Sequence, residues 1–406
     1  MKINREQLIE LAKKYGTPLY VYNGDLIIQR YKEMHDFIPW PKLKIYYAMK
    51  ANYNLSILKL LLQEGASIDA VSPGDVLLAK KAGFPSERIL FTANKITDKE
   101  MHLVEKENVL FNIGSISRLE KYGRAYPGTE VCIRFNPDIV AGEHENIRTG
   151  GESTKFGILL QDIEQVKEIV KKYNLKVIGI HEHTGSGIPE TVQMMAGMKN
   201  ILEITIPENF PDLCFVDFGG GFKIPYVPND MVPDYKKFGK EVVDLFSEVC
   251  KKYNRTLEIY FEPGRYIVGE SGYLLISVTT LKHNRLKLIA GTDSGFPQLI
   301  RPMFYQAYHH IENLTNPKGE IKKYDIVGNI CESGDCFGVN RSLPEIREGD
   351  ILAIRNAGAY CYSMGGIYNL RPMPAEVLVL NGKDKLVRKR LSYEEMIEQI
   401  IKESKL

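Results

Sequence analysis

From about residue 43 the chain repeats one pattern. A short β-branched or apolar run gives way to a longer stretch with apolar residues at helical spacing, and then the run returns. The runs are LKIYYAM (43–49), SIDAV (67–71), ILFTA (89–93), VLFNI (109–113), EVCIRF (130–135), KVIGIH (176–181), LCFVDF (213–218) and LEIYFE (257–262). Between them lie stretches such as NLSILKLLLQ, GDVLLAKKAG, DIEQVKEIVKKYN and YKKFGKEVVDLFSEVCKKYN. Eight such strand–helix units over about 230 residues fit an α/β fold of the (β/α)8 barrel type. An open doubly wound sheet is the alternative, since periodicity does not prove closure.

After about residue 275 the texture changes. YLLISVTTLKH, LKLIAGT, YDIVGNI, DILAIRN and AEVLVLNG are strand patterns separated by turns, with little helical spacing until the last residues. The 406 residues exceed what one ordinary core organises. The expected division is therefore a barrel over 30–275 and a C-terminal β domain over 276–406. The strand-like TPLYVYN brings residues 1–29 into that β domain.

A formal net charge of +2 gives no electrostatic case for nucleic acid or a membrane surface. No stretch approaches the roughly 20 apolar residues of a membrane span. The opening MKINREQLIELAKKYG is an amphipathic helix pattern without the apolar centre of a signal peptide. Six dispersed cysteines (132, 214, 250, 331, 336 and 361) form no CxxC pair. A reduced, cytoplasmic setting is the simplest expectation.

In a barrel, chemistry collects on the loops after the strands. Lys50 ends the first run, in YYAMKANYN, where an amine either reaches past the strand end to water or does covalent work. HEHTGSG (181–187) follows the sixth run, DFGGGF (217–222) the seventh and FEPGRY (261–266) the eighth. Three adjacent glycines let backbone N–H groups approach an anion such as phosphate, although glycine runs also make plain turns. Glu262 at a strand end suits a protonated heteroaromatic nitrogen, and Arg265 suits a phosphate or carboxylate. His181 and His183 admit a metal reading of the kind found in barrel hydrolases. One imidazole stacked on a flat cofactor ring, with Ser186 donating to phosphate, fits the context better. In the β domain, CESGD (331–335) offers a thiol and a carboxylate in a turn, and Tyr368 in GAYCYSMGGIYN offers a hydroxyl.

Together these segments resemble the fold-type III pyridoxal-phosphate decarboxylases, and within them the branch that acts on diaminopimelate. YYAMKANYN, HENIRTGGESTKFGI (144–158), HTGSG, GGG, FEPGR, RPMFYQAYH (301–309), CESGD, GAY and YNLRPMPAEV match in order over nearly the whole chain. The resemblance implies that Lys50 holds pyridoxal phosphate as an imine, that His183 stacks on its ring and that Glu262 pairs with its nitrogen. It further implies that Gly219, Gly220, Gly221, Ser186, Gly264 and Tyr368 hold the phosphate. Cys331 is the implied proton donor. Arg265, Arg301 and Tyr305 are implied holders of a distal substrate carboxylate, with Glu332 for the distal amine and Tyr368 also at the substrate.

The implied reaction is decarboxylation of meso-2,6-diaminopimelate at its D-centre to L-lysine and CO2, with no metal. The implied assembly is a homodimer in which Cys331 and Glu332 enter the neighbouring subunit's site. A sister activity on D-ornithine, D-lysine or an N-substituted amino acid is the alternative, followed by a metal-dependent hydrolase using His181 and His183. A desolvated lysine, its pKa lowered, is the expected state of Lys50. Three places depart from the family pattern: Asp75 in SPGD stands where Glu is usual, GTDSGFPQLIRP (291–302) differs, and Thr184 replaces an apolar residue.

Overall fold

The structure is a computed structural model that describes residues 3–142 and 154–404; residues 144–153 of the HENIRTGGESTKFGI segment lie outside them. The chain divides into two compact units. One comprises Ile28–Ile224 and Met231–Ile267, the other Met1–Ile27, Pro225–Asp230 and Val268–Leu406.

The first strand, β1 (Leu19–Asn23), belongs to the second unit. The first unit holds β2 (Leu43–Ala48), β3 (Ser67–Ala70), β4 (Ile89–Phe91), β5 (Leu110–Ile113), β6 (Glu130–Asn136), β7 (Ile158–Leu159), β8 (Lys176–His181), β9 (Phe215–Asp217) and β10 (Glu258–Phe261). Pairing runs β2-β3-β4-β5-β6-β8-β9-β10 and returns to β2, every pair parallel, with the two-residue β7 added beside β6. The eight strands close into a barrel, and the open-sheet alternative falls.

Closure explains the composition of the runs. A barrel strand is covered inside by other strands and outside by helices, so β3 is buried at all four positions and β2 at its last four. The helices turn a narrow apolar stripe inward. In Ile163–Lys172 the buried residues are Val166 and Ile169, while Lys171 and Lys172 occupy the last turn, where cations suit the helix dipole.

The helix Pro73–Ala82 accounts for one departure. The Ser72 hydroxyl accepts from Asp75 N at 3.1 Å, and Asp75 Oδ2 accepts from Val71 N at 3.0 Å. The shorter acid thus satisfies the backbone N–H one residue before the cap, while Ser72 caps the helix itself.

The second unit is built on a mixed sheet. After β1 come β11 (Gly272–Asn284), β12 (Lys287–Thr292), β13 (Ile311–Asn313), β14 (Ile321–Val327), β15 (Cys336–Pro344), β16 (Ile351–Arg355), β17 (Ala375–Leu380) and β18 (Lys383–Arg388). Their order is β15-β14-β12-β11-β1-β17-β18, with β16 against β11 and β13. β1 lies antiparallel to β11 and parallel to β17, as expected of TPLYVYN. Leu19, Val21, Leu275, Ala353 and Val377 form its core with Leu8 and Leu11 of the helix Arg5–Tyr15. Among the described residues no helix is long and apolar enough to cross a membrane.

Candidate active site

Lys50 sits in the 3-10 turn Met49–Ala51 directly after β2. The turn is held from both sides: Ala48 N donates to Pro263 O at 3.3 Å, and the Tyr47 hydroxyl donates to Asn52 O at 2.9 Å. Lys50 Nζ reaches Asp69 Oδ2 on β3 at 2.5 Å. Asp69 is fully buried, whereas the Lys50 side chain is 40% exposed. The expectation of a desolvated lysine is corrected here, because the amine lies at an open strand end and is paired with a buried carboxylate.

Around this pair the barrel gathers Arg134 from β6, His181 from β8, Asp217 from β9 and Glu262 after β10, all buried. Burial pushes the carboxyls of Asp69, Asp217 and Glu262 up, and their mutual repulsion adds to it at Asp69 and Asp217. Lys50 and Arg134 offset part of the burial at Glu262. Asp217 is raised furthest, by burial and by the neighbouring Glu262 charge, while Lys50 and Arg134 hold Glu262 back. His181 and His183 are driven well below the usual imidazole range by burial and then by Arg134. Both rings are therefore neutral.

The glycine turn is shaped by its neighbours. Gly219 has φ +64°, and a Cβ there meets His183 Nδ1 at 2.6 Å; one on Gly220 meets Glu262 O at 2.6 Å. Gly220 N donates to His183 Nδ1 at 3.0 Å, which places the proton of that neutral ring on Nε2. Glu262 N in turn donates to Gly219 O at 2.6 Å. Arg265 Nη2 donates to Ser186 Oγ at 3.2 Å, so this arginine stands with the residues expected to hold phosphate.

The residues fit pyridoxal phosphate. An amine for its aldehyde, a neutral imidazole and a buried carboxyl for its ring nitrogen lie beside a Cβ-free cradle for its phosphate. The Arg134 Nη2 and Asp69 Oδ1 atoms are buried here without hydrogen-bond partners, a state that costs on the order of 1–3 kcal/mol each.

The metal reading predicted the pair His181 and His183. The structure instead brings His181, Asp217 and Glu262 together, with ligand atoms within 4.8 Å of one another. His183 lies past the end of β8 and accepts from Gly220 N.

Sequence reasoning missed Asp69, Arg134, Asp217 and Glu182. The available signal was a charge inside or beside an apolar strand run. Glu182 explains a second departure: Thr184 Oγ1 donates to Glu182 Oε2 at 2.9 Å, both residues buried. Burial pushes Glu182 from the ordinary 4.5 up to about 8, with Thr184 and Arg134 opposing. The folded protein therefore keeps this proton over a pH range in which the unfolded chain has lost it. Its contribution to stability falls as pH rises from about 4.5 to about 8. At about 1.4 kcal/mol per unit the ceiling is roughly 5 kcal/mol. Glu182→Gln is expected to gain stability relative to wild type over that range. Urea melts of both proteins from pH 5 to 9 check it, and parallel stability curves would remove Glu182 as the cause.

In the β unit, Arg301 is 4% exposed. Its guanidinium lies 5.2 Å from the Tyr226 ring centroid and 5.7 Å from that of Tyr305. Its Nε donates to His309 Nε2 at 3.3 Å, and His309 Nδ1 donates to Arg355 O at 2.9 Å. The CESGD turn separates its two acids. Asp335 is buried and accepts from Phe296 N and Ile330 N, so it braces the turn. Cys331 and Glu332 are exposed. The Tyr368 hydroxyl donates to Glu332 Oε1 at 3.1 Å, and Asn369 Nδ2 to Cys331 Sγ at 3.1 Å. The predicted residues thus fall into two sets, each assembled within its own unit.

A closed parallel barrel carrying a lysine, a buried glutamate and a glycine turn after its strands is the arrangement of a pyridoxal-phosphate enzyme, and the comparisons with known proteins agree. The family model described as "Pyridoxal-dependent decarboxylase, pyridoxal binding domain" matches residues 25–269. Diaminopimelate decarboxylase of Methanothermobacter thermautotrophicus is 41% identical over 96% of this chain and 92% of its own length. That of Aquifex aeolicus is 38% identical over 96% and 93%. The crystal structure of diaminopimelate decarboxylase from Helicobacter pylori complexed with L-lysine superposes with a TM-score of 0.89 at 32% identity, covering 98% of this chain and all of that one. The chain belongs to the diaminopimelate decarboxylase family of pyridoxal-dependent decarboxylases.

Proposed function

We propose that the protein decarboxylates meso-2,6-diaminopimelate at its D-centre, releasing CO2 and L-lysine. The observation that carries this is the Lys50–Asp69 pair beside the buried Glu262 and the Gly219–Gly221 cradle. Pyridoxal phosphate supplies a protonated ring that takes up the electron pair left when the carbon–carboxylate bond breaks.

The chain's own residues do the rest. Lys50 Nζ must lose a proton to act as a nucleophile, and Asp69 Oδ2, 2.5 Å away with its carboxyl raised by burial, is placed to hold that proton. Glu262 keeps the ring nitrogen protonated, while neutral His183 covers the ring without adding charge. Gly219, Gly220, Gly221, Ser186, Gly264 and Tyr368 bind the phosphate. The Cys331 thiol delivers the proton that replaces CO2. Arg265, Arg301 and Tyr305 take the distal carboxylate, and Glu332 the distal ammonium. In this reading Cys331 and Glu332 serve the site of a second copy, so the working form is a homodimer. A cytoplasmic setting belongs to the same proposal, in keeping with six free thiols.

The test is CO2 release over a substrate panel. Meso-diaminopimelate is expected to be preferred over D-lysine and D-ornithine, and a reversed order overturns the assignment. Arg301→Met should lower kcat/KM for meso-diaminopimelate roughly 10- to 100-fold, the worth of a charge-assisted bond. Its effect on D-lysine, which lacks the distal carboxylate, should be much smaller.

A further inference from the structure

Within the β unit a cavity of about 450 Å³ is lined from segments far apart in sequence. Thr17 and Pro18 come from the approach to β1, and Asp293 and Gln298 from the stretch that departs from the family pattern. Arg371 comes from YNLRPMPAEV and Arg390 from just beyond β18. Its volume lies within the range of small-molecule sites, about 300–1,000 Å³.

The walls carry charge of both signs. Arg390 is anchored by Nη2 to the carbonyls of Gly16 and Pro18, while its Nε is buried without a hydrogen-bond partner. Arg371 forms no ion pair among the described residues, and its charge lowers the carboxyl of Asp335. Asp293 spends Oδ1 on Ser277 N at 2.9 Å. Burial raises its carboxyl, with the hydrogen bond from Thr17 offsetting part. Asn329 also lines the cavity, and its Oδ1 is a buried acceptor without a partner.

The lining thus holds a donor without an acceptor, Arg390 Nε, and an acceptor without a donor, Asn329 Oδ1, while Arg390 and Asp293 lie within each other's field. A dianion would meet Asp293 and the Asn329 oxygen, a diamine would meet two guanidinium groups, and an apolar ligand would leave every orphaned atom unpaired. An α-amino acid meets none of these objections. Its carboxylate suits the Arg371 fork and Arg390 Nε, and its ammonium suits Asp293 and Asn329 Oδ1. From this geometry we infer that the β unit binds a free α-amino acid zwitterion, in a site built from residues other than those assigned to catalysis.

Calorimetric titration of the full-length holoenzyme with L-alanine, L-leucine, L-lysine, L-glutamate and L-phenylalanine tests this. The two half-ligands, acetate and methylammonium, serve as controls. At least one amino acid is expected to bind both wild type and Lys50→Ala, and at least 10-fold more weakly to Arg371→Met and to Asp293→Asn. The half-ligands should bind at least 10-fold more weakly than the amino acid. Arg371 is part-exposed, so Arg371→Met keeps the test valid if Asp293→Asn does not fold. Binding that disappears in Lys50→Ala, or that both β-unit variants leave unchanged, overturns the proposal. Acetate binding as tightly as the amino acid, or a loss in Arg371→Met with none in a folded Asp293→Asn, overturns the zwitterion in favour of a simple carboxylate. Because Lys50→Ala is one arm, failure here is distinguishable from failure of the proposed reaction.

Discussion

Lys50→Ala is expected to lower turnover by roughly 10⁴-fold or more, because no other group replaces a nucleophilic amine at the cofactor. The visible absorbance of the bound cofactor, and its bleaching by borohydride, should vanish with it. The substitution also removes the partner of Asp69, and breaking a buried ion pair costs about 3–5 kcal/mol when the remaining charge stays ionised. Asp69 escapes much of that cost, since its carboxyl is already raised by burial and takes up a proton. The fold should therefore survive. Lys50→Arg separates the two roles: it restores a cation beside Asp69 while offering no amine for imine chemistry. Stability close to wild type without turnover is the expected result for arginine, and wild-type turnover in either variant contradicts the assignment.

Cys331→Ala has the opposite signature. Cofactor absorbance should persist, while kcat falls about 10²- to 10⁴-fold, the usual worth of a positioned general acid. The dimer proposal adds a sharper arm. Lys50→Ala and Cys331→Ala are each strongly impaired in isolation, but a mixed dimer regains one complete site if Cys331 serves the neighbouring copy. Mixing the two after subunit exchange should restore a substantial fraction of activity. No recovery in verified heterodimers would place Cys331 and Lys50 of one copy in the same site, and an unchanged rate in Cys331→Ala removes the proton-donor role.

Much of the fold was legible because a barrel writes itself locally. Each of the eight runs read from the sequence coincides with one barrel strand to within a residue or two at its ends, from β2 through β10 apart from the two-residue β7. A closed parallel sheet needs apolar residues on both strand faces, and that demand shows in every run. The strand ends, and so Lys50, His183, Gly219–Gly221 and Glu262, could be placed for the same reason.

The departures were less legible. Asp75 and Thr184 looked like substitutions without purpose until their partners appeared. Asp75 accepts from Val71 N and Thr184 donates to the buried Glu182, and neither bond follows from spacing alone. The two acids of CESGD were likewise indistinguishable in sequence, since only the packing shows Asp335 held by two backbone N–H groups and Glu332 left to Tyr368.

By itself the sequence determined the number of strand–helix units, the change to a β architecture and the candidate lysine, histidine, glycine and glutamate, because period, burial demand and chain order are local properties. Only the tertiary structure decided closure, the Lys50–Asp69 pair, the raised carboxyls of Asp217 and Glu262 and the neutrality of both histidines. Those depend on charges brought together from separate strands in a buried space, where distance and desolvation set the protonation of each group.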